Sequence, residues 1–194
     1  MSPRLLAPFA GLVLVAMIAL AAPARADVVV DGRARFPEAL EHGGQRFVLA
    51  GTGLLRWKWI VKVYAASFYF GEGAAPDPEA DVPRRLEIEY FVGLEGPDFG
   101  KAADKLLADA HPESVLAPLR ERLEALARAY VDVKPGDRYA LTYLPGRGTE
   151  LTLNGRPLAL VPGAELARVY FSMWTGKRPI DGGLRDALLG GAGR

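Results

Sequence analysis

Few side chains in this sequence are suited to covalent chemistry. It holds two histidines, His42 and His111, and no cysteine, which leaves no thiol nucleophile, no disulfide and no thiolate metal site. The histidines stand far apart, outside any HExxH pattern, so no metal site is expected. Past residue 26 the serines are Ser67, Ser114 and Ser172, and none sits in a GxSxG turn. Gly51-Thr52-Gly53 and Gly146-Arg147-Gly148-Thr149 match neither a dinucleotide fingerprint nor a P-loop, and they read as turn glycines. Glu87 and Glu89 share a strand face with Arg85, the pattern of a solvated edge rather than of a paired acid and base. No nucleophile can be matched to a base, and no cofactor is expected.

The elements that would position a site are better marked. Residues 56–70, RWKWIVKVYAASFYF, contain no Gly, Pro, Asn or Asp and alternate with a period of two, the mark of a strand. The first half has one charged face, and the second half is apolar on both faces and so buried on both. At about 3.3 Å per residue, a continuous strand here would run roughly 45–50 Å and form the spine of a large twisted sheet. Residues 45–50 lead into it through the Gly51-Thr52-Gly53 turn, residues 71–83 are a loop, and residues 84–92 alternate as an antiparallel partner.

The period then changes to that of a helix. Phe99, Ala102, Ala103, Leu106 and Leu107 share one helical face, and Val115, Leu119, Leu123, Leu126 and Tyr130 share a second, over residues 112–130. Strands return at residues 138–143 and on either side of Asn154-Gly155, a dipeptide suited to a two-residue hairpin turn at positive φ. Residues 165–174 and 183–189 close the chain as helices. The order describes an α+β domain whose helices cover one face of an antiparallel sheet.

Residues 1–26 carry Arg4, an apolar run over residues 9–22 and Ala24-Arg25-Ala26, the three regions of a Sec-type signal peptide. The run falls short of the about twenty residues that span a membrane. Cleavage before Asp27, export to the periplasm, no transmembrane span after cleavage and one domain over residues 27–194 are therefore expected. With Arg4 and Arg25 removed, the 24 basic residues become 22 against 23 acidic ones, which gives a nucleic acid no electrostatic footing.

Three stretches together resemble the chalcone isomerase-like superfamily in its bacterial exported branch. They are Lys62-Val-Tyr-Ala-Ala-Ser-Phe-Tyr69, Tyr143-Leu-Pro-Gly-x-Gly-Thr149 followed by Asn154-Gly155, and Phe171-x-x-Trp174-x-Gly176-x-x-Pro179-x-Asp181-x-x-Leu184-Arg185. The resemblance covers about residues 36–190. It implies an open-faced β-sandwich: a large antiparallel sheet, a layer of helices on one face, and a cleft between them.

The resemblance also implies two uses of that cleft. Plant enzymes of the superfamily cyclise a chalcone by attack of a phenolate on an enone. They use an Arg before the long strand, a Thr in its KxTA segment, a Tyr and an Asn on the next helix, and a late polar residue. Those positions fall here on Arg56, Tyr64, Phe99, Leu106 and Asp181. Only Arg56 and Tyr64 offer donors to a developing enolate, which makes them the candidates if an intramolecular lyase is retained.

Non-catalytic members bind fatty acids, with the Arg clamping the carboxylate. That use implies Arg56 or Lys62 at an acidic head group, with Tyr64 as a further donor. Phe68, Phe99 and Leu106, with Trp57 and Trp59, would line the apolar slot. The expected function is binding of a small apolar or carboxylate ligand without catalysis. The alternative is a closed cleft in a domain that serves as partner to another envelope protein.

Overall fold

Strands pair in the order in which the chain makes them. The computed structural model describes residues 26–191, so the signal segment expected over residues 1–26 lies outside it apart from Ala26. Two short strands, β1 (Asp27–Val30) and β2 (Ala34–Pro37), form a separate ribbon. Then β3 (Ala39–His42), β4 (Gln45–Trp57), β5 (Val61–Gly71), β6 (Arg84–Tyr90), β7 (Arg138–Leu144), β8 (Gly148–Leu153) and β9 (Arg156–Val161) make one seven-stranded antiparallel meander. Between β6 and β7 the chain leaves the sheet for α1 (Gly96–Ala110), α2 (Glu113–Leu116) and α3 (Arg120–Ala129). After β9 come α4 (Ala164–Thr175) and α5 (Gly182–Leu188). The fold is the α+β sheet with helices on one face. No helix among the described residues is long and apolar enough to cross a membrane.

The expected spine over residues 56–70 is not one strand. It is the second half of a hairpin, because the chain reverses at Lys58 and Trp59. Both residues take positive φ, 49° and 65°, and the Ile60 N–H donates to the Trp57 carbonyl at 3.2 Å. Periodicity could not find this turn because it uses none of the residues that favour it. A left-handed conformation costs a residue with a Cβ about 1–2 kcal/mol. By contrast, Asn154 and Gly155 turn β8 into β9 at φ 51° and 79°, as their types predict.

Gly51 and Gly53 lie inside β4, where a turn was expected, and serve helix packing. A Cβ on Gly51 would sit 2.1 Å from the Ala187 carbonyl oxygen, and one on Gly53 would sit 2.6 Å from Leu184. Their missing side chains let α5 lie directly on the strand.

Alternation sends Phe68, Leu86, Ile88, Leu141 and Leu151 to the helix side of the sheet, where they pack with Leu126, Leu166 and Phe171. The central helix is α4, buried from Leu166 to Thr175 except at Arg168. The helical run expected over residues 112–130 is interrupted at Ala117–Leu119 by a 3-10 turn that contains Pro118.

The opposite face departs from expectation. Arg85, Glu87 and Glu89 are not a solvated edge. The β1–β2 ribbon lies across them, with Phe36 fully buried and the Arg138 guanidinium 4.7 Å from its ring. Under that cover Arg85 Nε donates to Glu87 at 2.9 Å, and Arg138 reaches Glu87 at 3.2 Å and Glu89 at 2.5 Å. Alternating charges looked wet because the sequence does not reveal which later segment covers a face.

Candidate functional site

One apolar cavity of about 180 Å³ opens between the sheet and the helices. Its floor is the helix side of the sheet, with Tyr64 from β5, Ile88 and Tyr90 from β6, and Tyr139 from β7. Its roof is Phe99, Ala103 and Leu106 from α1 and Tyr170, Met173 and Trp174 from α4. The lining residues Ala102 and Ile180 are exposed and Leu55 half-buried, which puts the mouth between α1, the loop after α4 and the base of the β4–β5 hairpin.

Tyrosine dominates the wall. Five of the seven tyrosines line it: Tyr64, Tyr90, Tyr130, Tyr139 and Tyr170. Their rings lock together. Tyr90 meets Tyr64, Phe99 and Tyr139 edge to face at 5.7, 5.6 and 6.1 Å, and Phe99 stacks on Tyr130 at 4.9 Å. Tyr139 fixes the chain beyond α3, since its hydroxyl donates to the Val131 carbonyl at 2.8 Å and accepts from the Val131 N–H at 2.9 Å. That bond places Tyr130, the neighbour of Val131, over the cavity.

Several hydroxyl protons are left without an acceptor. Trp174 Nε1 donates to Tyr64 Oη at 3.1 Å, so the Tyr64 proton stays available. Tyr170 and Tyr130 share one hydrogen bond of 3.0 Å, which uses one of their two protons. Tyr90 Oη makes no hydrogen bond among the described residues. Burial raises the pKa of Tyr64, Tyr90, Tyr130 and Tyr170 well above the ordinary phenol range. These groups are neutral donors at physiological pH and not phenolate bases.

No charged side chain lines the cavity among the described residues. Of the residues singled out in the sequence, Tyr64, Phe99 and Leu106 line it and the others do not. Arg56 and Asp181 face a separate outer groove of about 410 Å³ between the hairpin and α5. There the Asp181 carboxylate accepts from the Leu184 N–H at 2.7 Å and caps α5. Lys62 is exposed and bonded to Asp31 at 2.6 Å. Phe68 is fully buried against Phe70 and Phe171, and Trp57 and Trp59 stand in solvent.

Arg56 misses the cavity because neighbours along a strand point to opposite faces: Leu55, paired with Tyr64, lines the cavity, while Arg56 faces the outer groove together with Leu54. The most buried cation, Arg84, is also remote from it, held between the rings of Tyr143 and Phe171 at 5.2 and 5.4 Å. Sequence reasoning missed Tyr90, Tyr130, Tyr139, Tyr170 and Trp174 as a group. Alternation and helical spacing send each of them inward, but nothing along the chain shows that their polar tips converge.

Among the described residues, neither histidine pair sets a base against a nucleophile's proton. His111 lies 2.8 Å from Ser172, but the serine hydroxyl donates to the Val169 carbonyl at 2.6 Å and so points its proton away from the imidazole. His42 pairs with Glu150 at 2.5 Å at the far edge of the sheet.

The chain matches the model of a family described as chalcone isomerase-like over residues 29–190. No curated protein matches its sequence. Among solved structures, the crystal structure of the Arabidopsis thaliana fatty-acid binding protein AtFAP1 is similar to it, with a TM-score of 0.66 and 17 % identity. That likeness covers 85 % of this chain and 96 % of the plant chain.

Proposed function

This chain belongs to the chalcone isomerase-like family, and we propose that it binds a small apolar ligand, without catalysis, between its sheet and its helices. The observation that carries the reading is the composition of the cavity wall: uncharged throughout, aromatic, and supplied with tyrosine protons that lack acceptors. Apolar surface provides affinity at about 25 cal/mol per Å² buried. The Tyr64, Tyr90 and Tyr130 hydroxyls provide direction, as donors to a carboxyl or carbonyl oxygen. A volume of about 180 Å³ suits one aromatic ring or a short acyl segment. The plant relative's fatty acid supports an amphiphile of that kind.

The recognition differs from a cationic clamp. Phenols hold a neutral acid or a carbonyl as well as an anion, so the bound form need not be ionised. The lyase reading draws no support from the wall, because Phe99 and Leu106 offer no donors where the plant enzymes place a Tyr and an Asn.

The protein works in the periplasm in this reading, after removal of residues 1–26. In support, β1 starts at Asp27, the residue that the cut would leave first. N-terminal sequencing of exported protein tests that part, and a start other than Asp27 would refute it.

The ligand is tested by mass spectrometry of a solvent extract of protein purified without detergent. A stoichiometric organic acid or similar amphiphile is expected, present in Arg56→Ala and lost in Leu106→Trp. An empty extract, together with no thermal shift across a panel of short acids and phenols, would overturn the reading.

A further inference from the structure

The hairpin joining β4 to β5 ends in Arg56-Trp57-Lys58-Trp59-Ile60-Val61-Lys62, and its apolar side chains are uncovered. Trp59 is 88 % exposed, Ile60 83 %, Trp57 59 % and Val61 42 %. Single exposed apolar residues are ordinary, but four within five residues at one protruding tip form a patch of the sort that marks an interaction site.

The backbone indicates that these side chains are there for a purpose other than the turn. Lys58 and Trp59 both hold positive φ, which Asn-Gly satisfies without strain at the β8–β9 turn of the same chain. A turn needed only to reverse the strand has no use for a strained indole in solvent. Strain retained at an exposed position points to function.

Charge selects the partner. Arg56, Lys58 and Lys62 alternate with the apolar residues. Lys62 is bonded to Asp31, while Arg56 and Lys58 have no carboxylate partner among the described residues. The Lys58 ammonium lies 4.4 Å from the centre of the Trp57 ring. Indoles with an aliphatic side chain at the tip and cations just behind are the chemistry of a bilayer interface. The rings settle among the head groups and the cations meet lipid phosphates.

We propose that this tip docks the protein on an anionic phospholipid surface, with Trp57, Trp59 and Ile60 entering the interfacial layer and Arg56 and Lys58 on the phosphates. Leu55 and Val63, at the base of the same hairpin, line the cavity, so docking turns the cavity mouth toward the bilayer. The docking itself does not depend on what the cavity binds.

The test is flotation and tryptophan emission of the purified protein with vesicles of phosphatidylcholine alone or mixed with phosphatidylglycerol. Binding and a blue shift are expected on the anionic vesicles and weaken as salt is raised. The informative variant is Lys58→Asn with Trp59→Gly, which relieves the turn. It should melt no lower than the parent yet lose about tenfold or more in vesicle affinity. Arg56→Glu with Lys58→Glu should lose the preference for phosphatidylglycerol. Absence of binding by the parent, or equal binding by the relieved-turn variant, overturns the proposal. In the latter case the membrane contact belongs to another segment.

Discussion

The Trp174 indole N–H donates to the Tyr64 hydroxyl at 3.1 Å and so ties the central helix to the middle of the sheet across the wall of the cavity. Both side chains are buried, which makes the bond costly to leave half-made. Tyr64→Phe should destabilise the fold by about 1–2 kcal/mol, and the double-mutant cycle with Trp174→Phe should give a coupling near 1 kcal/mol. Urea unfolding of the four proteins measures it, and a coupling indistinguishable from zero would show that the bond is not made in solution.

Leu106 lies half-buried in the cavity roof, on the exposed edge of α1. Leu106→Trp should fill the space without overpacking the core behind it. Ligand affinity should drop by more than about tenfold while the melting temperature holds, because the added ring takes the apolar volume that the ligand would occupy. Titration calorimetry with a ligand identified from the extract reads this directly. Undiminished binding would move the site elsewhere.

Glu87 sits between Arg85 and Arg138 beneath the β1–β2 ribbon. Removing the carboxylate leaves two covered guanidiniums short of their shared acceptor. Glu87→Ala should cost about 3–5 kcal/mol by denaturant unfolding, and Glu87→Gln should cost less because it keeps an acceptor oxygen. A loss below about 1 kcal/mol would mean that the network is hydrated and the ribbon loose.

Asp137 is the clearest acid-sensitive group. The Lys134 backbone N–H, the Asn154 side-chain amide and the Lys134 ammonium hold its carboxyl at about 2, below the usual range. A carboxylate depressed in the folded state stabilises above its unfolded pKa, and that contribution disappears as the pH falls through the folded value. The stability difference between wild type and Asp137→Asn should therefore be constant above about pH 4 and shrink as the pH approaches 2. A difference that stays level through this window would show the carboxylate to be unperturbed.

How much was legible from the chain varies by element. The Asn154-Gly155 hairpin, the inward faces of α1 and α4 and the antiparallel partner at β6 were readable because each depends on local spacing or local φ preference. The reversal at Lys58 and Trp59 was not, since its residues disfavour the conformation that they adopt. The role of Gly51 and Gly53 was hidden for another reason: α5, which they admit, lies far along the chain.

The candidate site divides in the same way. Alternation by itself determined that Tyr90 and Tyr139 lie on the apolar faces of their strands, and composition determined that no thiol is available. Only the tertiary structure decided that five phenols meet around one charge-free cavity, and that the reversal at Lys58 and Trp59 leaves Arg56 on the face opposite Tyr64. Side-chain direction along a strand follows a period of two, which sequence displays. Convergence from four strands and two helices depends on sheet twist, strand irregularity and which segments cover which face, and these are set by contacts distant in the chain.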